Sequence, residues 1–336
     1  LSSPFLSPIS NFLQSDYALY SSSSSGYRLL GMGEAFPQNL MSFTQRFVSD
    51  EACAAYLMEL RWPAGFICPA CGGGKGWPTA RGTIFCATCQ RQTSLTAGTI
   101  LHNTRVPLRG WLLAMWLVCT QKTGLSAAGL PRELGLGSYR TAWLMLQKLR
   151  QAMVRLGRES LSDGVEVDET YLGASESGVH GRQLVGKALV VIAVELAGAK
   201  VGRVRLRHVP DGSTSSLVGF IKDVVEPGAT VHTDGWQGYA RLSKAGYAHR
   251  VTPTRGDGEL AVEVFAHVHL VASLLKRWLG ATHQGNVSPK HLQPYLDEFA
   301  FRFNRRRSRH VGKIFHRLAE QLFLRQARTY RQIIDS

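Results

Sequence analysis

The sequence predicts a multi-domain chain of mixed α+β and α/β class, on three observations. Two Cys-x-x-Cys pairs stand together in the N-terminal third, Cys68 with Cys71 and Cys86 with Cys89. An apolar helical pattern follows them, through Arg155. Beyond it, strand and helix patterns alternate in a block that opens on Gly164-Val-Glu-Val-Asp-Glu-Thr-Tyr171. With 336 residues, 44% of them hydrophobic, the chain can bury a core in each of two or three domains.

Charge narrows the partner. Lys and Arg number 39 against 24 acids, a formal charge of +15, and such an excess favours a polyanion through counterion release, with nucleic acid first. A membrane is disfavoured, because the longest apolar run, Trp111 to Cys119, is far too short to span a bilayer. Six cysteines, four in tight pairs, point to metal binding in a reducing compartment, hence a cytoplasmic, nucleoid-associated protein.

In chain order, residues 1–40 hold the serine run Ser21 to Ser25 and no periodicity, the composition of a disordered leader. They lack the basic start and apolar stretch of a signal peptide, and Met32 or Met41 is a candidate start. Residues 41–62 carry Phe43, Phe47, Tyr56, Leu57 and Leu60 at helical spacing, with a stop near Pro63. Residues 63–104 contain the two cysteine knuckles around a glycine-rich, strand-like spacer. That arrangement presents four thiolates tetrahedrally to zinc as a closed, structural ribbon.

Residues 105–158 read as an apolar helix from Leu108 to Lys122, then two helices around a Gly-rich turn. The second, from about Tyr139 to Arg155, points Trp143, Leu146, Leu149 and Met153 inward and leaves Arg140, Gln147, Lys148 and Arg150 outward, the pattern of a helix-turn-helix placing its second helix in a major groove.

Residues 159–283 begin with the strand whose Val165 and Val167 alternate with Glu166 and Asp168. Strands over 187–196 and 201–208 follow, then a helix over 213–225 and a β-branched run that ends at Asp234 and is broken by Gly235. A helix over 236–245, a strand over 249–254 and a helix from about 260 to 279 complete the block. That succession is the mixed sheet of a ribonuclease-H-like domain, in which the first and fourth strands bring Asp168 and Asp234 together. Two carboxylates at neighbouring strand ends suit magnesium-assisted phosphoryl transfer. Residues 284–336 are basic and helical, with Arg302, Arg305, Arg306, Arg307, Arg309, Lys313 and Arg317 interleaved with Phe301, Phe303 and Phe315, a helix docked on the core with its other face on DNA phosphates.

The chain resembles insertion-sequence DDE transposases with an N-terminal zinc ribbon, bacterial relatives of Merlin elements in the ISXO-like group. The likeness rests on the cysteine knuckles, Gln92-Thr-Ser-Leu-Thr-Ala-Gly-Thr-Ile100, Val165-Glu-Val-Asp-Glu-Thr-Tyr171, His232-Thr-Asp-Gly-Trp-Gln-Gly-Tyr239, Ser273-Leu-Leu-Lys-Arg-Trp278, and Tyr295 through Arg306. It covers nearly everything after Met41. The resemblance implies DNA recombination: binding of terminal inverted repeats, strand cleavage and strand transfer with magnesium, by a homodimer or larger assembly in a synaptic complex. Relatives carry an acid or amide seven residues before a lysine on the helix after the fifth strand. Here Lys276 matches that lysine and His269 stands in the other place, with Ser273 between them on one face. His269 is thereby the third ligand and Lys276, with Arg277, a phosphate contact. Glu263, Glu298 and Asn304 compete for the third position. An imidazole ligand favours manganese more than carboxylate does. Two other readings remain at this stage: a nuclease of the same fold that cuts without joining, and an inert zinc-ribbon DNA-binding regulator derived from a transposase.

Overall fold

Asn39 starts the first helix because its side-chain oxygen accepts the Ser42 N–H at 2.9 Å while the Ser42 hydroxyl accepts the Asn39 N–H at 3.0 Å, a reciprocal cap. In the computed structural model, which describes residues 36–173, 187–198, 200–254, 263–285 and 287–335, that helix is α1 (Leu40–Arg46) and Ser49 caps the next, α2 (Asp50–Arg61). The leader expected over 1–40 lies outside the described residues as far as residue 35. A three-stranded antiparallel ribbon follows: β1 (Gly76–Pro78), β2 (Thr83–Cys86) and β3 (Gln92–Ser94). Then come α3 (Leu108–Thr120), α4 (Leu130–Leu134) and α5 (Tyr139–Met153). Proline precedes α3 and offers no side-chain cap, so the Asp50 carboxylate takes over, accepting the Leu108 and Arg109 N–H groups at 3.3 and 2.9 Å.

The C-terminal half contains β4 (Gly164–Leu172), β5 (Ala188–Ala197), β6 (Lys200–Val209), α6 (Thr214–Val224), β7 (Thr230–Thr233), β8 (Ala248–Val251), α7 (Ala266–His283), α8 (Leu292–Asn304), α9 (Val311–Leu324) and α10 (Tyr330–Ile334). Its sheet runs β6-β5-β4-β7-β8, antiparallel from β6 through β4 and parallel from β4 through β8. β5 is apolar throughout because both of its faces are covered: Leu189, Val191 and Ala193 join the core beneath α6, and Val190, Ile192 and Val194 the core beneath α7 and α8. The segment expected as a helix over 236–245 is instead two single 3-10 turns, Gln237–Tyr239 and Ser243–Ala245. Gly238 explains part of this, since a Cβ there would stand 2.6 Å from the Gly212 carbonyl. The start of the helix expected from residue 260 lies outside the described residues. Among those residues, no helix is long and apolar enough to cross a membrane.

Chain order is not packing order. The C-terminal stretch forms two helices, not one, broken at residues 305–310. α9 returns to the N-terminal helices, where Phe315 packs among Phe43, Phe47, Tyr56 and Trp116 with ring centroids 5.7 to 6.1 Å away. α5 is consequently enclosed on more than one side, by α8 and α9 as well as by the helices before it, and this corrects the outward assignment of three residues. Gln147, Lys148 and Arg150 are all buried. Arg150 donates from Nε to Glu298 Oε2 at 2.8 Å and lies 3.8 Å above the Tyr295 ring, so it joins α5 to α8 and does not face DNA. Burial also lowers the pKa of Lys148. Only the start of α5 is open, with Tyr139 and Arg140 exposed.

Removing one member of a buried pair strands the other. Glu298→Ala is expected to destabilise the chain by about 3–5 kcal/mol, whereas the double change Arg150→Met with Glu298→Leu recovers most of that loss. Urea unfolding of the three proteins checks it; equal losses for the single and double variants would show that the pair itself stabilises the junction.

Candidate functional site

The register of two strands sets the site. β4 and β7 run parallel with Val165 opposite Val231 and Glu166 opposite His232. The paired register ends there, and continued two residues further, just past the end of β7, it would set Asp168 on β4 beside Asp234. Asp234 follows directly on β7, and Gly235 (φ +85°) turns the chain away, its Cβ position only 2.8 Å from Val251. The Asp234 carboxylate accepts the Trp236 N–H at 2.9 Å and that of Asp168 accepts the Glu169 N–H at 2.8 Å, so backbone donors orient both acids. Both remain partly open to solvent. The fully buried Tyr239 phenol feels the convergence: its pKa is pushed well up by burial, then by the charges of Glu169, Asp168 and Asp234.

α7 supplies the third group. His269 Nε2 lies 3.3 Å from Asp168 Oδ2, and this contact raises the imidazole pKa against the opposing effect of burial. Lys276 is close enough to act on the same imidazole electrostatically, and with Ser273 and Arg277 it is exposed on the helix. The competitors are placed differently. Glu298 is held by Arg150. Asn304 accepts the Val204 N–H at 2.7 Å and donates to the Val204 carbonyl at 3.1 Å, extending the edge of β6. Glu263 is exposed, ahead of α7.

What sequence reasoning missed is the clamp that sets α7 in place. The N-cap residue of α7, Phe265, makes no side-chain cap. Glu166, buried on β4, fills that role from 102 residues away: Oε2 accepts the Val268 N–H at 3.1 Å, and Oε1 meets His267 Nδ1 at 2.7 Å. Glu166 and Asp168 share one face of the strand, so the clamp and the His269 contact are successive rungs. The legible signal was an acid alternating with buried valines, since an acid so placed needs a donor.

The zinc site is built by repetition. Each knuckle closes with the same two backbone bonds, Gly72 N–H to Cys68 O and Cys68 N–H to Gly73 O, then Gln90 N–H to Cys86 O and Cys86 N–H to Arg91 O, all between 2.8 and 3.0 Å. The left-handed residue in the first is Gly72 (φ +74°) and in the second Gln90 (φ +59°), which tolerates a strained position only because the knuckle requires it. The sulfur atoms of Cys68, Cys71, Cys86 and Cys89 lie within 4.8 Å of one another, with the pairs Cys68–Cys89 and Cys71–Cys86 at 3.6 Å. Four thiols at that separation match tetrahedral zinc.

The remaining residues expected on DNA are divided. Arg140, Arg277, Arg306 and Arg307 are exposed. Arg305 is half-buried, stacked 4.1 Å from the Phe301 ring and donating to its carbonyl at 3.0 Å. Arg306 lies 3.9 Å over Phe303 and donates to the Val201 carbonyl at 2.5 Å, so part of its role is to hold β6.

Comparison with known proteins matches two stretches of the chain. Residues 160–304 match the ISXO2-like transposase domain and residues 48–92 the transposase zinc-ribbon domain. The chain is also 29% identical over 276 residues to an uncharacterized protein in transposable element ISH50 of Halobacterium salinarum, a match covering 76% of this chain and 91% of that relative. This strongly basic chain therefore carries a transposase zinc-ribbon domain followed by an ISXO2-like transposase domain, and the two matched stretches together indicate a transposase.

Proposed function

We propose that this transposase binds the terminal inverted repeats of its insertion sequence as double-stranded DNA and cuts and joins strands in a ribonuclease-H-like domain, with Asp168, Asp234 and His269 as the ligand set for magnesium or manganese. The observation that carries the reading is the 3.3 Å approach of His269 to Asp168, beside the parallel pairing of β4 with β7, the strand that leads directly into Asp234. The donor chemistry fits the ion: two carboxylates and one imidazole, each partly solvent-accessible, form an open site for a divalent cation. When bound, such ions polarise the phosphodiester and stabilise the attacking and leaving oxygens.

The chain's own groups divide the rest of the work. Asp168 and Asp234 supply the carboxylates, each oriented by a backbone donor, the Glu169 and Trp236 N–H groups respectively. Lys276 offers its ammonium to the charge that develops on the phosphate, and Arg277 and the exposed arginines after α8 hold the duplex by its backbone. In-line attack by water breaks a P–O3′ bond and frees a 3′-hydroxyl, which then attacks a phosphodiester of the target and displaces the target strand's own 3′-oxygen as a hydroxyl. The zinc ribbon is structural, and a synaptic complex of two or more copies, assembled on DNA at the nucleoid, brings the two ends together.

Joining is the step that separates this reading from a nuclease. Pre-cleaved element ends incubated with the full chain, manganese and a supercoiled target are expected to give strand-transfer products; cleavage without joining would leave the nuclease instead. An imidazole ligand also sets a metal preference. Manganese is expected to support cleavage at least as well as magnesium, and His269→Ala to lower the rate by about 10²-fold or more. Strict magnesium dependence with His269→Ala fully active would remove His269 from the site.

A further inference from the structure

α6 contains a glycine that its own helix does not want. Gly219 sits in the middle of an 11-residue helix, where glycine costs stability relative to almost any other non-proline residue. Nothing approaches within 4 Å of the position a Cβ would take, so close packing does not demand it. What the missing side chain leaves is room: Gly219 lines an open groove of about 400 Å³ between α6 and the turns that follow Asp234.

The groove has one sign of charge. Lys222 comes from α6, Arg241 and Lys244 from the opposite wall, and the hydroxyls of Thr214 and Ser215 close its upper end. Neighbouring carboxylates are turned elsewhere. Asp223 is paired with Arg207 at 2.8 Å, and Asp211 accepts the Ser213 N–H at 3.0 Å and the Ser216 hydroxyl at 2.8 Å. Among the described residues, no carboxylate engages Lys222, Arg241 or Lys244.

Position links the groove to the reaction. Trp236, two residues after Asp234, donates its indole N–H to the Gly212 carbonyl at 2.9 Å, fastening the turn beyond the acid to the start of α6. From Thr214 to Lys222 the helix advances about 12 Å, so the cations and hydroxyls form a track leading away from the turn that follows Asp234.

We propose that this groove is a second DNA-backbone site, in which Lys222, Arg241 and Lys244 hold phosphates of duplex DNA beyond the reacting phosphodiester, with Gly219 kept small so that a strand can lie against the helix. The inference rests on the DNA-transposase reading. The same backbone chemistry is offered by element-end DNA and by target DNA.

Two variants of the full chain test it, each with an element-end duplex and with an unrelated duplex. K222Q/R241Q/K244Q removes the charge, and G219L keeps the charge but fills the groove. The triple variant is expected to lessen the slope of log affinity against log salt by about 2 to 3. G219L is expected to weaken binding of at least one of the two duplexes about tenfold, while its melting temperature rises by about 1–3 °C as a better helix former replaces glycine. Loss confined to the unrelated duplex assigns the track to target DNA, and loss confined to the element end assigns it to the flank. If the parent chain binds both duplexes and both variants match it in affinity and salt slope, the groove is only a solvated basic face. If the parent chain binds neither duplex at any salt concentration, the DNA-binding reading itself falls, and the groove with it.

Discussion

Asp168→Asn and Asp234→Asn are each expected to reduce strand cleavage by about 10³-fold or more while leaving affinity for the element end within about twofold. The substitution is nearly isosteric, and the amide oxygen can still accept the backbone bond that now orients each carboxylate, from Glu169 and Trp236 respectively. What is lost is negative charge where the proposed site would hold a divalent cation. Asp168 lies in the middle of β4 and Asp234 just past the end of β7, and the neighbouring valines carry the packing: Val165, Val167 and Val231 are fully buried, and the aspartates are not.

A pH control separates charge from fold at Asp168. Its contact raises the His269 pKa above the ordinary 6.5. A raised histidine pKa contributes stability that is fully present below the unfolded value and is lost as pH rises through the folded one. The imidazole is about one-third exposed, which keeps the contribution small. Without added magnesium or manganese, Asp168→Asn should therefore melt slightly below the parent at pH 5.5 and with it at pH 8. A large loss of stability at both values, or loss of end binding, would make the aspartate structural.

Much of this was legible in the sequence because local periodicity carries it. Alternating valines and acids specify a strand with a polar face, and a continuous apolar run such as Ala188 to Val194 specifies a strand covered on both faces. The cysteine spacing similarly reports its own turn, since each knuckle is closed by residues within six positions of one another. What escaped depends on partners far away along the chain. Helical periodicity marked one face of α5 as apolar, but it could not show that α8 and α9 would cover the other, burying Arg150 against Glu298 from 148 positions away. The same holds for Glu166, whose alternation marks it as polar without naming the helix terminus it caps. The chain from Trp236 to Ala245 was misread for a local reason: its apolar spacing suits a helix, yet Gly238 must pass so close to the Gly212 carbonyl that the backbone tightens into separate turns.

Zinc removal or Cys68→Ser is expected to unfold the ribbon while sparing the helices and the five-stranded sheet. The ribbon's own core is too small to stand alone: among its described strands only Ile84, Cys86 and Thr93 are buried, and β1 is exposed along its whole length. Structural zinc in comparable small modules contributes about 10–16 kcal/mol of apparent binding energy, more than any packing seen here can replace. The damage should stop near Ser94. Leu95, Ile100 and Leu101 belong to the helical core, and Arg61 donates to the carbonyls of Ser94, Leu95 and Ala97. The result to look for is loss of zinc from the purified protein, new protease cleavage between about residues 66 and 93, and increased exposure of Trp77, now 5.0 Å from Phe85 across β1 and β2, with little change in helical circular dichroism. An unchanged melting curve and protease pattern after complete zinc removal would mean that the four cysteines do not hold the ribbon together.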